Sequence, residues 1–473
     1  MDQKFDTIVI GFGKAGKTLA AKLAKQGEKV ALIEKDARMY GGTCINVGCI
    51  PSKRLVLEAE RAPAHDFEVQ SEYYHVAVQE KKKLTTALRM ANYNKLIDAG
   101  VQVINGTASF LDGKTIGVKG AHGTMQTLSA SKLIINTGGR PMIPAVPGVE
   151  NNRLVFTSET MMENETLPRR LTIIGGGYIG LEFASMYARF GSKVTILQNG
   201  SVFLPKEDRD MAEAVENVLK SYGVSVITGA GLKEIKEGTA VYTKNGEEDT
   251  LDGDAILLAT GRGPNTEGLH AERAGVELTK RGAVVTDKHL RTTAENIWAA
   301  GDVCGNLQFT YISLDDSRII LSDMQGDGSR TTENRGAFAY SVFMEPSFSR
   351  AGLSEKEAAA ELLLEAKGFK DVVVNLTGET ADIVVPDAEL SDAQRAQIED
   401  IVKRKTGIAA ENIVITPLKE GEDVAEGSVD TAADVGESSD TSDGSSDDTF
   451  YEDSETSAQP YEDATIDTTD IYD

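Results

Sequence analysis

Cys44 and Cys49 lie in GGTCINVGC, residues 41–49, with Lys53 four residues further on. Two thiols at this spacing could form a structural cross-link, part of a metal clip, a passive buried pair or a redox pair. In a regular helix, residues five apart are rotated by about 140° and separated by about 7.5 Å of rise. That exceeds the roughly 4.4–6.8 Å Cα separation of a disulfide. A bond between them therefore requires an irregular segment, which Gly41, Gly42 and Gly48 make accessible. Pro51 suits the first turn of a helix, so a helix is expected over SKRLVLEAERA. Cys49 then stands at its N-terminus, where the dipole favours a thiolate. A structural zinc site takes about four ligands, and no second Cys or His cluster accompanies the pair, so no metal site is expected. A passive pair and a redox pair both remain at this point. Cys304, the third cysteine, stands alone and reads as an incidental small residue.

Two glycine turns frame the chemistry. DTIVIGFGKAGKTLAAKLAKQGEKVALIEKD reads as strand, turn, helix and strand, and LTIIGGGYIGLEFASMYARFGSKVTILQNG repeats the plan 164 residues later. Each turn carries G-x-G-x-x-G: Gly11, Gly13 and Gly16, then Gly175, Gly177 and Gly180. One such motif is weak evidence, whereas two in full context point to dinucleotide binding. The first glycine permits the tight turn, the second lets a pyrophosphate approach the backbone, and the third lets helix pack on strand. Each unit is followed by a strand ending in a Thr-Gly pair, Thr137–Gly138 in IINTGGRP and Thr260–Gly261 in ILLATGRGPN. Glu34, 23 residues after Gly11, is placed to accept hydrogen bonds from ribose hydroxyls. The corresponding residue of the second unit is Gln198, a neutral amide that leaves NADH against NADPH open. Lys206 and Arg209, nearby, read as solvated charges.

Composition bounds the rest. The 473 residues are 40% hydrophobic, enough for two to four domains with real cores. Three cysteines make no disulfide scaffold, so a reducing, cytoplasmic setting is expected. No signal peptide and no run of about 18 apolar residues is visible, so no membrane anchor is expected. The net charge of −25 is concentrated at the end, because residues 421–473 hold 18 acidic residues and no Lys or Arg. No nucleic-acid surface is implied. That acidic, Ser/Thr-rich segment is poor in large apolar groups and is expected to be a disordered tail.

GFGKAGKTLA, MYGGTCINVGCIPSK, GGGYIGLE and NIWAAGDV resemble the flavoprotein disulfide reductases, the family of dihydrolipoyl dehydrogenase, glutathione reductase and mercuric reductase. GFGKAGKTLA, MYGGTC and FTYISLDD are most similar to its reactive-chlorine-resistance branch. The resemblance covers about residues 4–355. It implies FAD held by Gly11, Gly13, Gly16 and Glu34, with Gly42, Thr43, Thr137 and Gly138 along the cofactor and Asp302 on the ribityl chain. Lys53 matches the lysine beside flavin N5. NAD(P)H is implied at Gly175, Gly177 and Gly180, with Gln198 and Gly261. Tyr178 matches a ring that lids the nicotinamide pocket, and Glu182 lies one turn on. The implied activity is an NAD(P)H-dependent oxidoreductase in which hydride passes through flavin to a Cys44–Cys49 redox disulfide. Cys49 is then the charge-transfer thiol and Cys44 the interchange thiol. The acceptor is a small molecule, a disulfide or a metal ion.

The family continues for about a hundred residues that build its homodimer and carry a His-Pro acid–base motif. Here none of the five histidines precedes a proline, and none lies after His289. Loss of the usual dimer and of fast disulfide turnover is therefore expected. Helix, strand, strand, helix and strand are expected over about 60 residues, with Ser391 as an N-cap and Gly407 as a stop. LSDAQRAQIEDIVKRKTGIAAENIVITP resembles the ring-building domain of the stage III sporulation protein AH. A non-catalytic assembly protein with a passenger flavin region is the alternative function. The expected fold is α/β, two Rossmann-like three-layer domains followed by a small α+β module and the tail. The expected boundaries are 1–150 (FAD), 151–268 (NAD(P)), 269–345 (return to the FAD domain), 346–360 (junction), 361–420 (module) and 421–473 (tail).

Overall fold

The computed structural model describes residues 3–417, except 306, 337, 353–354, 370–371, 378–379 and 386–389. The acidic tail expected over 421–473 lies outside the described residues. The first glycine unit forms around strand Gln3–Ile10, which pairs in parallel with Val30–Glu34 on one side and Met125–Ile135 on the other. Its sheet runs in the order 102–105, 30–34, 3–10, 125–135, 115–119, 107–110. Val9, Ile10, Leu32, Ile33, Ile134 and Ile135 are all buried there, as expected for parallel strands covered on both faces, whereas 115–119 and 107–110 join antiparallel. Strand Ile297–Ala299 returns to this sheet beside Met125–Ile135, although the whole second glycine unit intervenes in sequence. This return brings Ala300–Asp302 to the carboxyl ends of the strands, where ligands of open α/β sheets bind.

The second unit repeats the plan in a five-stranded parallel sheet, ordered 225–228, 193–198, 170–174, 255–258, 155–157. Helix Tyr178–Arg189 packs Leu181, Phe183, Ala184 and Tyr187 into the core beneath it. The hairpin Ala339–Val342/Phe348–Ala351 adds Tyr340, Val342 and Phe348 to that same core.

The C-terminal part follows the expected order of helix Glu355–Glu365, strands Val373–Thr377 and Thr380–Val385, helix Asp392–Thr406 and strand Ile413–Pro417. Its sheet is antiparallel, then parallel. Ala360, Leu364, Ile398, Ile401 and Val402 from the two helices meet Ala381, Ile383 and Val385 in a core of their own. The alternation of those strand residues puts both helices on one face. Ser391 caps the second helix in a reciprocal box with Gln394, and Gly407 ends it with φ +78°. Among the described residues no helix is long and apolar enough to cross a membrane.

Candidate active site

The first turn is held by an amide that sequence reasoning did not single out. Gly11 has φ +106°, and a Cβ there would lie 2.2 Å from the Asn136 carbonyl oxygen. The Asn136 side chain accepts from the Gly16 N–H at 2.9 Å and donates to the Ala300 carbonyl at 2.7 Å. One buried side chain thus joins the glycine turn to the ends of two strands. Ser313 accepts from the Ala15 N–H, and Asp316 accepts from the Gly301 N–H. FTYISLDD is therefore the segment that fixes both the turn and the Asp302 loop. The Glu34 carboxylate accepts from the Phe12 and Asp36 N–H groups, while burial pushes its pKa up.

These residues fit FAD. Gly42 closes on the turn so tightly that a Cβ would lie 2.8 Å from the Gly13 Cα. The Thr137 hydroxyl is buried without a partner among the described residues. The Asp302 carboxylate, raised in pKa by burial, accepts no hydrogen bond from another described residue's side chain. A cofactor rich in hydroxyl groups would satisfy both. Lys14 and Lys17 add positive charge to the first helical turn, suited to a pyrophosphate. Lys17 donates to Asn92 and to the Gly41 carbonyl, and its pKa is lowered to about 7 by burial and then by repulsion from Lys14.

The dithiol sits where the irregular segment was expected. Cys44 belongs to the one-turn helix Thr43–Asn46, Gly48 breaks the chain direction, and Cys49 opens helix Cys49–Arg61. Both thiols are free and partly buried in this structure. The Thr310 hydroxyl lies 3.5 Å from the Cys49 Sγ. A hydrogen bond from Cys49 holds Cys44 down to about 6, with Thr310, Lys17 and Lys14 lowering it further. Donating that bond, together with burial, pushes Cys49 up. Cys304 is buried, and its thiol is raised well above the ordinary range by burial. Among the described residues no group of three or more His, Cys, Asp or Glu could hold a metal ion. His75, His270 and His289 face Glu165, Glu272 and Asp323.

The second turn repeats the first with one deletion. A Cβ on Gly175 would lie 2.4 Å from the Ala259 carbonyl oxygen, matching the Gly11–Asn136 approach. Gln198 accepts from the Gly176 N–H at 2.8 Å, as Glu34 does from Phe12. Ala259 occupies the place of Asn136, and the space above Gly177 is open to 4 Å. Gly261, with φ +102°, accepts from the Met142 N–H. Tyr178 opens the helix and points its hydroxyl at Glu207, 2.5 Å away. Glu182 accepts from the Phe343 N–H, and burial raises its carboxyl to about 7. The Lys53 ammonium lies 5.3 Å from the centroid of the same Phe343 ring. Arg209 is exposed, as expected, yet it is also engaged by the loop before it. Its guanidinium donates to the Phe203, Leu204 and Glu207 carbonyls of the loop before its helix.

Comparison with known proteins agrees with this geometry. Residues 5–317 match the pyridine nucleotide-disulphide oxidoreductase family. The chain belongs to that family. It is 43% identical over 404 residues to the probable pyridine nucleotide-disulfide oxidoreductase RclA of Escherichia coli (strain K12), covering 85% of this chain and 87% of that protein. It is 34% identical over 371 residues to a mercuric reductase of Staphylococcus aureus, covering 76% of this chain and 66% of the other. The solved Cu(II) complex of the HOCl-induced flavoprotein disulfide reductase RclA from Escherichia coli superposes with a TM-score of 0.71. That superposition has 43% identity and covers 79% of this chain and 81% of the other. Residues 349–415 match the SpoIIIAH-like protein family. The chain is thus a flavoprotein oxidoreductase whose cofactors are FAD and NAD(P)H, continued by a SpoIIIAH-like segment.

Sequence reasoning missed Asn136, Thr310, Ser313 and Glu207. Asn136 stands inside IINTGGRP, directly before the Thr-Gly pair, and Thr310 and Ser313 stand inside FTYISLDD. Both segments were legible as motifs. The individual contacts, 120 and 261 residues apart in sequence, were not.

Proposed function

We propose that this enzyme oxidises NAD(P)H and delivers the electrons through the Cys44–Cys49 pair to a metal ion bound as substrate. FAD, when bound, carries the two electrons of the hydride to the disulfide. Gly11, Gly13, Gly16, Glu34, Gly42, Thr43, Thr137, Gly138 and Asp302 would hold it, with Lys53 adding a cation beside its ring. Gly175, Gly177, Tyr178, Gly180, Glu182, Gln198 and Gly261 would hold the dinucleotide. The observation that carries the metal reading is the pair of free, partly buried thiols beside Thr310, with Lys17 and Lys14 lowering Cys44 and no histidine among the groups that act on it. A thiolate binds a soft cation without a proton donor. A disulfide substrate releases a thiolate that must be protonated, and general-acid help is typically worth about 10²–10⁴-fold. The mercuric reductase and the Cu(II)-bound RclA support the same substrate class. With Cu(II) the balance is one NAD(P)H and two Cu(II) giving NAD(P)⁺, a proton and two Cu(I).

Steady-state oxidation of NADH against Cu(II), Hg(II), lipoamide and glutathione disulfide tests this reading. Metal-dependent turnover should exceed disulfide turnover by about two orders of magnitude or more. Faster turnover of a disulfide would refute it. The family's dimer is not expected here, because the segment that replaces its interface is the SpoIIIAH-like one.

A further inference from the structure

A buried polar chain runs from the second nucleotide turn into the SpoIIIAH-like segment. Tyr178 Oη and Tyr340 Oη lie 2.5 and 2.6 Å from the same oxygen, Glu207 Oε1. Each hydroxyl has one proton, so both donate to this carboxylate, and Glu207 is only 3% exposed. Tyr340 pairs with Arg350 across the hairpin, which puts the ring and the guanidinium on one face. Arg350 Nη1 lies 3.6 Å from Glu207 Oε2, and its Nη2 lies 2.9 Å from Glu357 Oε2. Glu357 belongs to the first helix of the C-terminal part, and its other oxygen accepts from the Leu376 N–H at 2.9 Å. Two buried carboxylates thus divide one guanidinium. Arg350 makes its close contact with Glu357 and only grazes Glu207, leaving Glu207 to hold both tyrosines.

We propose that Arg350 and Glu357 are positioning residues for dinucleotide binding, acting through Glu207 on the Tyr178 ring. The proposal rests on the reading that NAD(P)H binds at the second glycine turn. Tyr178 opens the helix directly after Gly177, where a Cβ would meet no atom within 4 Å, so it stands beside the space the dinucleotide would enter. Its ring is held against Tyr340, with ring centroids 5.2 Å apart. Neutralising Glu357 frees Arg350 to close on Glu207 Oε2 as a charge-assisted pair, which draws the carboxylate and its charge away from the two hydroxyls on Oε1. The Tyr178 ring then loses its anchor and must be ordered when the nucleotide binds. Ordering one such side chain weakens binding by about threefold to tenfold. Because such coupling is reciprocal, the nucleotide should in turn tighten the contact between Glu357 and the Leu376 N–H.

The test is a double-mutant cycle on the FAD-loaded full chain, titrating NAD⁺ calorimetrically into wild type, Glu357→Gln, Tyr178→Phe and the double variant. Gln keeps an acceptor for Leu376 while removing the charge. The expected result is a threefold to tenfold weaker dissociation constant in Glu357→Gln. In the Tyr178→Phe background the same change should have no further effect, and NAD⁺ should slow hydrogen exchange at Leu376 in wild type. Unchanged affinity in Glu357→Gln, or an equal loss in the Tyr178→Phe background, would overturn the proposal alone. A wild-type chain that binds no dinucleotide would overturn the nucleotide-site reading and the proposal with it.

Discussion

Cys44 and Asn136 show what single residues contribute. Because the Cys44 thiol is lowered to about 6, its thiolate fraction rises through that pH. Alkylation of the reduced enzyme by iodoacetamide should therefore reach its half-maximum below the ordinary thiol range. A rise centred near the ordinary thiol value of about 8.5 would contradict the electrostatics of the pair. Asn136→Ala leaves the Gly16 N–H and the Ala300 carbonyl unpaired, at about 1–3 kcal/mol for each buried group. It should lower the melting temperature by several degrees and release FAD during purification. Retention of FAD with unchanged stability would show that the amide clamps nothing. The neutral Gln198 offers no charge to a 2′-phosphate, and Arg209 is engaged with three carbonyls. NADH should therefore give the higher kcat/KM, and a preference for NADPH would point to a cation elsewhere. The glycines, Glu34 and the two cysteines were legible because each follows a fixed offset within one short segment. Asn136, Thr310 and Glu207 were not, because their partners are set by how distant segments fold together.

Among the elements, the C-terminal part was read in correct order from period and caps alone. Ser391, Gln394 and Gly407 mark the limits of one helix within a single stretch of sequence, which is why they could be found. What could not be read is how its first helix guards a sheet edge. Glu357 and Glu361, one turn apart, accept from the Leu376 and Val374 N–H groups of strand Val373–Thr377. Those donors alternate away from the neighbouring strand and would otherwise invite pairing with another chain. The expected boundary at 360/361 falls within helix Glu355–Glu365, so that helix belongs whole to the C-terminal sheet it covers. The core that this helix builds with the sheet shares no residue with the two nucleotide sheets, whereas the hairpin before it packs on the second of them. Ile383→Ala should then cost about 2–5 kcal/mol within that core alone. Hydrogen exchange should rise over the described part of 360–415 while the flavin spectrum stays unchanged. A loss of flavin in this variant would mean that the two cores fold as one.

At the scale of the molecule, the two glycine units and the returning strand Ile297–Ala299 present their loops at the carboxyl ends of the parallel strands of two sheets, and the dithiol meets Thr310, which lies in the segment that fixes the first of these loops. The duplication, visible in the sequence, made this architecture legible. The coupling through Glu207 and Arg350 to the SpoIIIAH-like segment joins two unrelated motifs, and no motif of either family announces it. Light scattering on the purified full chain should show a species other than the family's dimer. A stable dimer would mean that the C-terminal part supplies an interface of its own. The central claim is that NADH electrons reach the Cys44–Cys49 pair through bound FAD. Anaerobic titration of the purified protein with NADH, followed by visible absorbance, tests it most directly. The account predicts a yellow protein whose flavin band bleaches as a broad long-wavelength band appears, the latter lost in Cys49→Ser and kept in Cys44→Ser. A folded protein that takes up no FAD, or a flavin that NADH and NADPH leave oxidised, would contradict it.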